Sequence, residues 1–95
     1  MAVSADDYAQ DACIRVAKAS RDAGEPDPAL MLSIGQAAAK SSYIEVNVRG
    51  MVLLEYAQKT IAAKGRRDEA SRKERMITAA IQMTAVCEYV GITRQ

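Results

Sequence analysis

Apolar residues recur every three to four positions along most of the chain, which is the spacing of one face of an α-helix. Four such stretches cover roughly 4–23, 28–40, 42–64 and 68–90. Glycine or proline residues follow the first and the third stretch, as they do where helices end, whereas serine separates the second from the third. The pattern therefore predicts an all-α fold: a compact bundle of three to four helices in a single domain, residues 1–95.

The first two helices have recognisable start signals. Ser4 followed by Asp7 has the spacing of a capping box, and Gly24 is placed to stop the first helix. Asp27 is predicted to cap the second helix, with Pro28 at its first helical position. These residues fix the expected turn between the two helices.

The junction around Ser42 has two interpretations. Ser42 and Glu45 form a second capping-box pattern, which predicts that a third helix begins there. Apolar and polar residues also alternate over 44–49, which is typical of a strand. We favour the helix because no other part of the chain resembles a partner strand. A continuous helix from 28 to 64 is a further alternative.

Glycines mark the remaining helix ends. The third helix is expected to end at Lys64, before Gly65, and the last helix at Gly91. Ile92 is placed to fold back over that last turn. Within the second helix, Gly35 would permit close contact with a neighbouring helix.

Composition predicts a thin core. The chain has 18 Ala, no Trp and no Phe, and its larger apolar residues are 7 Ile, 7 Val, 5 Met and 4 Leu. Alanine favours helix but fills little space, so the helices must approach closely to exclude water. A core of this kind gains from a second copy or another partner, which favours oligomerisation.

The two cysteines and the absence of long apolar runs suggest a cellular location. Cys13 and Cys87 lie 74 positions apart in the sequence. At that separation they form neither a metal-ligand pair nor a disulfide-dense framework, so we expect free, buried thiols. No run of about 18 apolar residues exists, and the first residues do not resemble a signal peptide. The sequence therefore predicts a cytoplasmic protein without a membrane segment.

Catalytic chemistry has little support in the sequence. The chain has no histidine, the commonest general base and metal ligand. Neither a glycine-rich phosphate loop nor a serine nucleophile motif is present. Both cysteines lie on apolar helix faces, where a thiolate is disfavoured. We expect a protein that is not an enzyme and has no cofactor and no metal.

Charge is distributed unevenly along the chain. Residues 59–75 carry seven cations and three acids, a net charge of +4, whereas residues 1–27 carry −3. Such a segment either solvates a surface or contacts anions. A helix-turn-helix match over 38–51 is poor, because its turn lacks the glycine and the second helix offers one cation. The candidate anion or nucleic-acid contacts are Arg66, Arg67, Arg72, Lys73 and Arg75.

A second apolar line on the third helix is the strongest functional feature. It lies on a different arc from the expected core face of Leu53, Ala57 and Ile61. A helix with two apolar faces is either central in its own bundle or meets another chain. The predicted partner-binding residues are Val48, Val52 and Tyr56, bordered by Arg49 and Lys59.

These observations predict a non-catalytic protein-binding module that acts through helix faces. Its expected role is that of an adaptor, regulator or inhibitor, with another protein as partner and a homodimer as the oligomeric form. The alternative is a nucleic-acid-binding regulator that uses the basic segment 59–75.

Overall fold

The computed structural model describes residues 5–22 and 26–92, with side chains from residue 7 onward. These residues form four helices and contain no strand. The helices are α1 (Ala5–Arg21), α2 (Pro28–Ala39), α3 (Ile44–Ala62) and α4 (Glu69–Tyr89). The predicted all-α bundle is confirmed, and both alternatives for its middle, a strand over 44–49 and one helix over 28–64, are wrong.

The beginning of α2 follows the sequence prediction. Asp27 has an extended backbone, and its side-chain oxygen accepts a hydrogen bond of 3.0 Å from the Ala29 N–H. Pro28 occupies the first helical position, where the missing N–H costs nothing. The capping box predicted at Ser4 and the stop predicted at Gly24 lie outside the described residues.

The beginning of α3 differs from the prediction. The helix starts at Ile44, and Tyr43 rather than Ser42 occupies the N-cap position, without a side-chain capping bond. The preceding serine takes a local role instead, since the Ser41 hydroxyl accepts a hydrogen bond of 3.0 Å from the Tyr43 N–H. Ser41 is buried, so this bond also satisfies a polar group removed from water.

The ends of α3 and α4 are each followed by a glycine in the left-handed region. Helix α3 ends at Ala62, two residues before the predicted end at Lys64, and Gly65 (φ +78°) follows it. Gly91 (φ +80°) follows α4. After α4, the Ile92 N–H donates to the Cys87 carbonyl at 3.1 Å, and the Ile92 side chain is buried. The predicted fold-back of Ile92 is confirmed.

The four helices run up and down around a common core. Each packs against the next along the chain, and α1 also packs against α4, which closes the ring. Side-chain hydrogen bonds join neighbouring helices at three edges. They are Arg15 to Ser33 between α1 and α2, Arg49 to Gln82 between α3 and α4, and Ser20 with Thr84 between α1 and α4.

Small residues allow α2 and α3 to approach closely. A Cβ atom added at Gly35 would lie 2.8 Å from the backbone nitrogen of Leu54, and one added at Gly50 would overlap the Cβ atom of Ala38. Only glycine fits at either position without moving the helices apart. The contact predicted for Gly35 is confirmed.

The core is built from small and medium-sized side chains, as the composition predicted. Helix α1 contributes Ala9, Ala12, Cys13 and Val16, all fully buried. The larger buried side chains come from the other three helices. They are Met31 and Ile34 of α2, Leu53 of α3, and Met76 and Met83 of α4.

Cys13 and Cys87 form a disulfide, so the expectation of free thiols is wrong. The sulfur atoms are 2.04 Å apart, the Cα atoms are 5.7 Å apart, and the bond joins α1 to α4. Both residues are fully buried. The prediction failed because it used their separation of 74 positions along the chain. In an up-and-down bundle the first and last helices are neighbours, whatever the length between them.

Candidate functional site

An exposed apolar surface lies on the first two turns of α3. It comprises Tyr43, Ile44, Val48 and Met51, whose exposed fractions are 41%, 74%, 50% and 55%. We call these four residues the α3 strip. The three helical members have i, i+4 and i+7 spacing and fall within about 60° of the helix circumference. The strip is therefore continuous along the helix.

The strip faces away from the bundle core. Leu53 points in nearly the opposite direction from Ile44 and is fully buried. No other described helix carries three exposed large apolar side chains; the rest are Ile14 on α1, Leu30 on α2, Ile61 on α3, and Ile81 and Tyr89 on α4. Isolated exposed apolar residues are ordinary on protein surfaces, whereas a continuous line is a feature of binding surfaces.

The turn that precedes the strip is held by side-chain hydrogen bonds. Asn47 donates from Nδ2 to the Ala39 carbonyl at 2.7 Å and to the Ser41 carbonyl at 3.3 Å. These bonds satisfy carbonyl groups at the end of α2 that lack helical partners. They fix the direction in which α3 leaves the turn, and with it the position of the strip.

Only Val48 of the predicted apolar line belongs to the exposed strip. Val52 and Tyr56 are half-buried and pack against the core. Together with Arg75 and Gln82 they line a cleft of about 180 Å³ between α3 and α4. The sequence did not decide whether the same chain or a partner buries this line. For Val52 and Tyr56, neighbouring residues of the same chain supply most of the burial.

The two cations predicted to border the line have contacts within the chain. Arg49 donates to the Gln82 side-chain oxygen of α4 at 3.2 Å. Lys59 pairs with Glu55 at 3.0 Å, and its ammonium lies 5.2 Å from the centre of the Tyr56 ring. Both side chains remain exposed, so each of these contacts contributes little to stability.

Ile61 corrects the predicted core face of α3. Leu53 and Ala57 are fully buried, but 44% of Ile61 is exposed. Ile61 lines a cleft of about 330 Å³ at the ends of α2, α3 and α4, together with Thr60 and Lys64. The helical wheel placed it with the core, but Ile61 lies about 80° around the helix from Leu53, at the edge of the buried face.

The basic residues of segment 59–75 do not share one surface. Arg66 and Arg72 line a cleft at the corner between α3 and α4, whereas Lys73 lines the neighbouring cleft with Ile61. Arg75 lies further along α4, in the cleft with Val52. Arg67 is exposed on the connecting turn.

Three of the strip's four residues were not predicted from the sequence to belong to a binding surface: Tyr43, Ile44 and Met51. The i, i+4, i+7 spacing of Ile44, Val48 and Met51 was visible in the sequence. Spacing alone identifies an arc of the helix, but only the position of the neighbouring helices decides which arc stays exposed.

No helix in the described part of the chain is both long and apolar enough to cross a membrane. Among the same residues, no three acidic or sulfur side chains cluster in a way that would hold a metal ion. Comparison with protein-family models finds no match, and comparisons with curated proteins and with solved structures find none either.

Proposed function

We propose that this chain is a non-catalytic protein-binding module that forms a homodimer through the α3 strip. The observation that carries the proposal is the exposure of Ile44, Val48 and Met51 on one face of α3, with exposed Tyr43 preceding them, while the opposite face of the helix is core. Burying such a line against a second apolar surface removes it from water, which is the main driving force for association.

A second copy of the chain suits the strip geometrically. A two-fold axis midway along the strip, between residues 47 and 48, pairs two α3 helices in antiparallel orientation. That arrangement places Val48 next to the axis in both copies and Ile44 of each copy beside Met51 of the other. The same apolar line then covers itself, as an isologous interface requires.

The biological role that we infer is that of an adaptor, regulator or inhibitor acting on another protein. A bundle of this size offers helix faces rather than a deep pocket, and helix faces are common surfaces for protein recognition. The proposal assigns no catalytic residue, cofactor or metal. The homodimer and the binding of another protein are separate parts of the proposal, and the α3 strip is the evidence for the homodimer.

A cytoplasmic location remains a sequence-based prediction, and the disulfide weighs against it. Disulfides persist in oxidising compartments and are rare where thiol reductants are abundant. Alkylation with a mass-tagged reagent measures the oxidation state of Cys13 and Cys87 in cells. Free thiols support a cytoplasmic location, and a disulfide supports an oxidising compartment.

The dimer is tested by the double substitution Val48→Glu/Met51→Glu. Sedimentation velocity over a protein concentration series should show a dimer for the wild type and a monomer for the variant, because two charges in each copy cannot be buried unpaired. At concentrations where the wild type has dissociated, its thermal melt should be similar to that of the variant, because both positions are already exposed to water in the monomer.

Ala85→Glu is the matched control. It introduces one glutamate, half of the charge added by the double substitution, at an exposed position of α4 outside the strip, and should leave the dimer unchanged. A wild type that is monomeric throughout the concentration series refutes the homodimer. A dimer that survives the double substitution shows that the interface lies elsewhere.

The nucleic-acid-binding alternative stays second. A protein that reads or clamps a duplex presents several cations along one face. Here Arg72, Lys73 and Arg75 line three different clefts, so the segment does not form one continuous basic surface.

A further inference from the structure

We infer that the cleft at the corner between α3 and α4 binds a phosphate group carried by a small molecule. The cleft has a volume of about 200 Å³. Three of the six residues that line it are cations, and one is an acid. The cations are Lys59, Arg66 and Arg72, the acid is Asp68, and the other two residues are Ala62 and Ala63.

The three cations come from three different segments of the chain. Lys59 lies in the last turn of α3, Arg66 on the connecting turn, and Arg72 in the first turn of α4. The turn between α3 and α4 therefore brings these three cations of the basic segment 59–75 to one cleft. The lining carries three positive charges and one negative charge, and a bound anion offsets the remaining positive charge.

The connecting turn holds Arg66 at the cleft without using its side chain. The Arg66 N–H donates to the Ala63 carbonyl at 2.8 Å, and the Gly65 N–H donates to the Glu69 side chain at 3.1 Å. Within the described part of the chain, the Arg66 guanidinium forms no ion pair and no hydrogen bond. All of its donors can therefore serve a ligand.

The other two cations each form one ion pair with an acid and retain further N–H donors. Arg72 contacts Asp68 through Nε at 3.3 Å, and that contact leaves its two terminal nitrogens for a phosphate oxygen. The Lys59 ammonium has three N–H groups and gives one to Glu55. Guanidinium forks and ammonium groups are the side chains that bind phosphate best.

A small phosphate compound fits this cleft better than a nucleic-acid strand does. The nearest further clefts are not basic in the same way: Lys64 and Lys73 line one together with Asp27 and Glu69. A strand needs cations at successive phosphates, whereas one phosphate group needs only one cluster.

The experiment titrates the full-length protein with inorganic phosphate at constant ionic strength, followed by ¹H–¹⁵N NMR. We expect saturable shifts at the amides of residues 62–72. Arg66→Gln and Arg72→Gln should each weaken binding about tenfold or more, the scale of one lost charge-assisted contact. Arg67→Gln removes the same charge from the same turn outside the cleft and should leave the affinity unchanged. Circular dichroism of each variant verifies folding.

A parallel arm replaces phosphate by a DNA duplex over a salt series. Saturable phosphate binding that depends on Arg66 and Arg72 but not on Arg67 supports the site. Absence of saturation, or equal losses in all three variants, overturns it and leaves these cations as ordinary surface charge. Duplex binding that Arg66→Gln and Arg67→Gln weaken equally, without saturable phosphate binding, overturns it in favour of a diffuse nucleic-acid surface.

Discussion

Two seams of the bundle hold alanine-rich helices together by different means. Between α2 and α3, Gly35 and Gly50 let the backbones approach until Leu54 and Ala38 fill the space. Between α1 and α4, a disulfide joins Cys13 to Cys87. The first seam depends on shape in the folded state. The second depends on a covalent link that also restricts the unfolded chain.

The difference follows from what each helix contributes to the core. Among the α1 side chains that the structure describes, residues 7–21, only Ala9, Ala12, Cys13 and Val16 are buried, so the docking of this helix removes little apolar area from water. Helices α2 and α3 bury larger side chains, including Ile34 and Leu53. A helix that cannot gain enough from packing is the one that the disulfide secures.

Loss of the disulfide is expected to have the largest effect. In the chain-entropy model, cross-linking residues 74 positions apart raises the free energy of the unfolded chain by about 4 kcal/mol. The variant Cys13→Ala/Cys87→Ala should therefore melt roughly 15–30 °C below the oxidised wild type. Calorimetry measures the shift, and reductant should have no effect on the variant. Equal melting of oxidised and reduced wild type would show that α1 needs no covalent link.

Gly50→Val tests the other seam and should have the next largest effect. The added atoms overlap Ala38 of α2, so α2 and α3 must separate, at a cost of about 1–3 kcal/mol. Urea denaturation measures the free energy of unfolding. Ala70→Val, at an exposed position of α4, is the control and should cost about 0.5 kcal/mol from helix propensity. A Gly50→Val variant as stable as this control contradicts the close contact.

Ser20→Ala should have the smallest effect. Its hydroxyl lies 3.1 Å from that of Thr84 across the seam between α1 and α4, at an exposed site. Water can replace an exposed hydrogen bond, so we expect a change within about 0.5 kcal/mol. If urea denaturation shows a loss of unfolding free energy several times that size, polar contacts as well as the disulfide stabilise the packing of α1 against α4.

Much of the fold was predictable because its signals are local. Asp27 and Pro28 set the beginning of α2, and Gly91 with Ile92 set the end of α4, through contacts within a few residues. The disulfide was missed because it depends on which helices are neighbours. Its signal was nevertheless present: each cysteine lies on the core face of its helix, and a bundle of four helices can bring the first beside the last.

The binding surface was predictable only in part, for the same reason. A helical wheel identifies arcs of α3 but does not show where α2 and α4 cover them. Val48 was assigned to the surface and is exposed, whereas Val52 on the same line is half-buried by its own bundle. Ile44 and Met51 complete the exposed arc because no neighbouring helix reaches that side.

The cross-link also determines how the molecule would respond to mechanical tension. Force applied at the two ends of this chain passes from α1 to α4 through the sulfur atoms and bypasses α2 and α3. Only the roughly 20 residues outside the loop could extend, by about 70 Å in total. Roughly 250 Å of further contour length stays hidden until the bond is reduced. In a pulling experiment, a dithiol reductant should therefore convert a short, stiff tether into one several times longer.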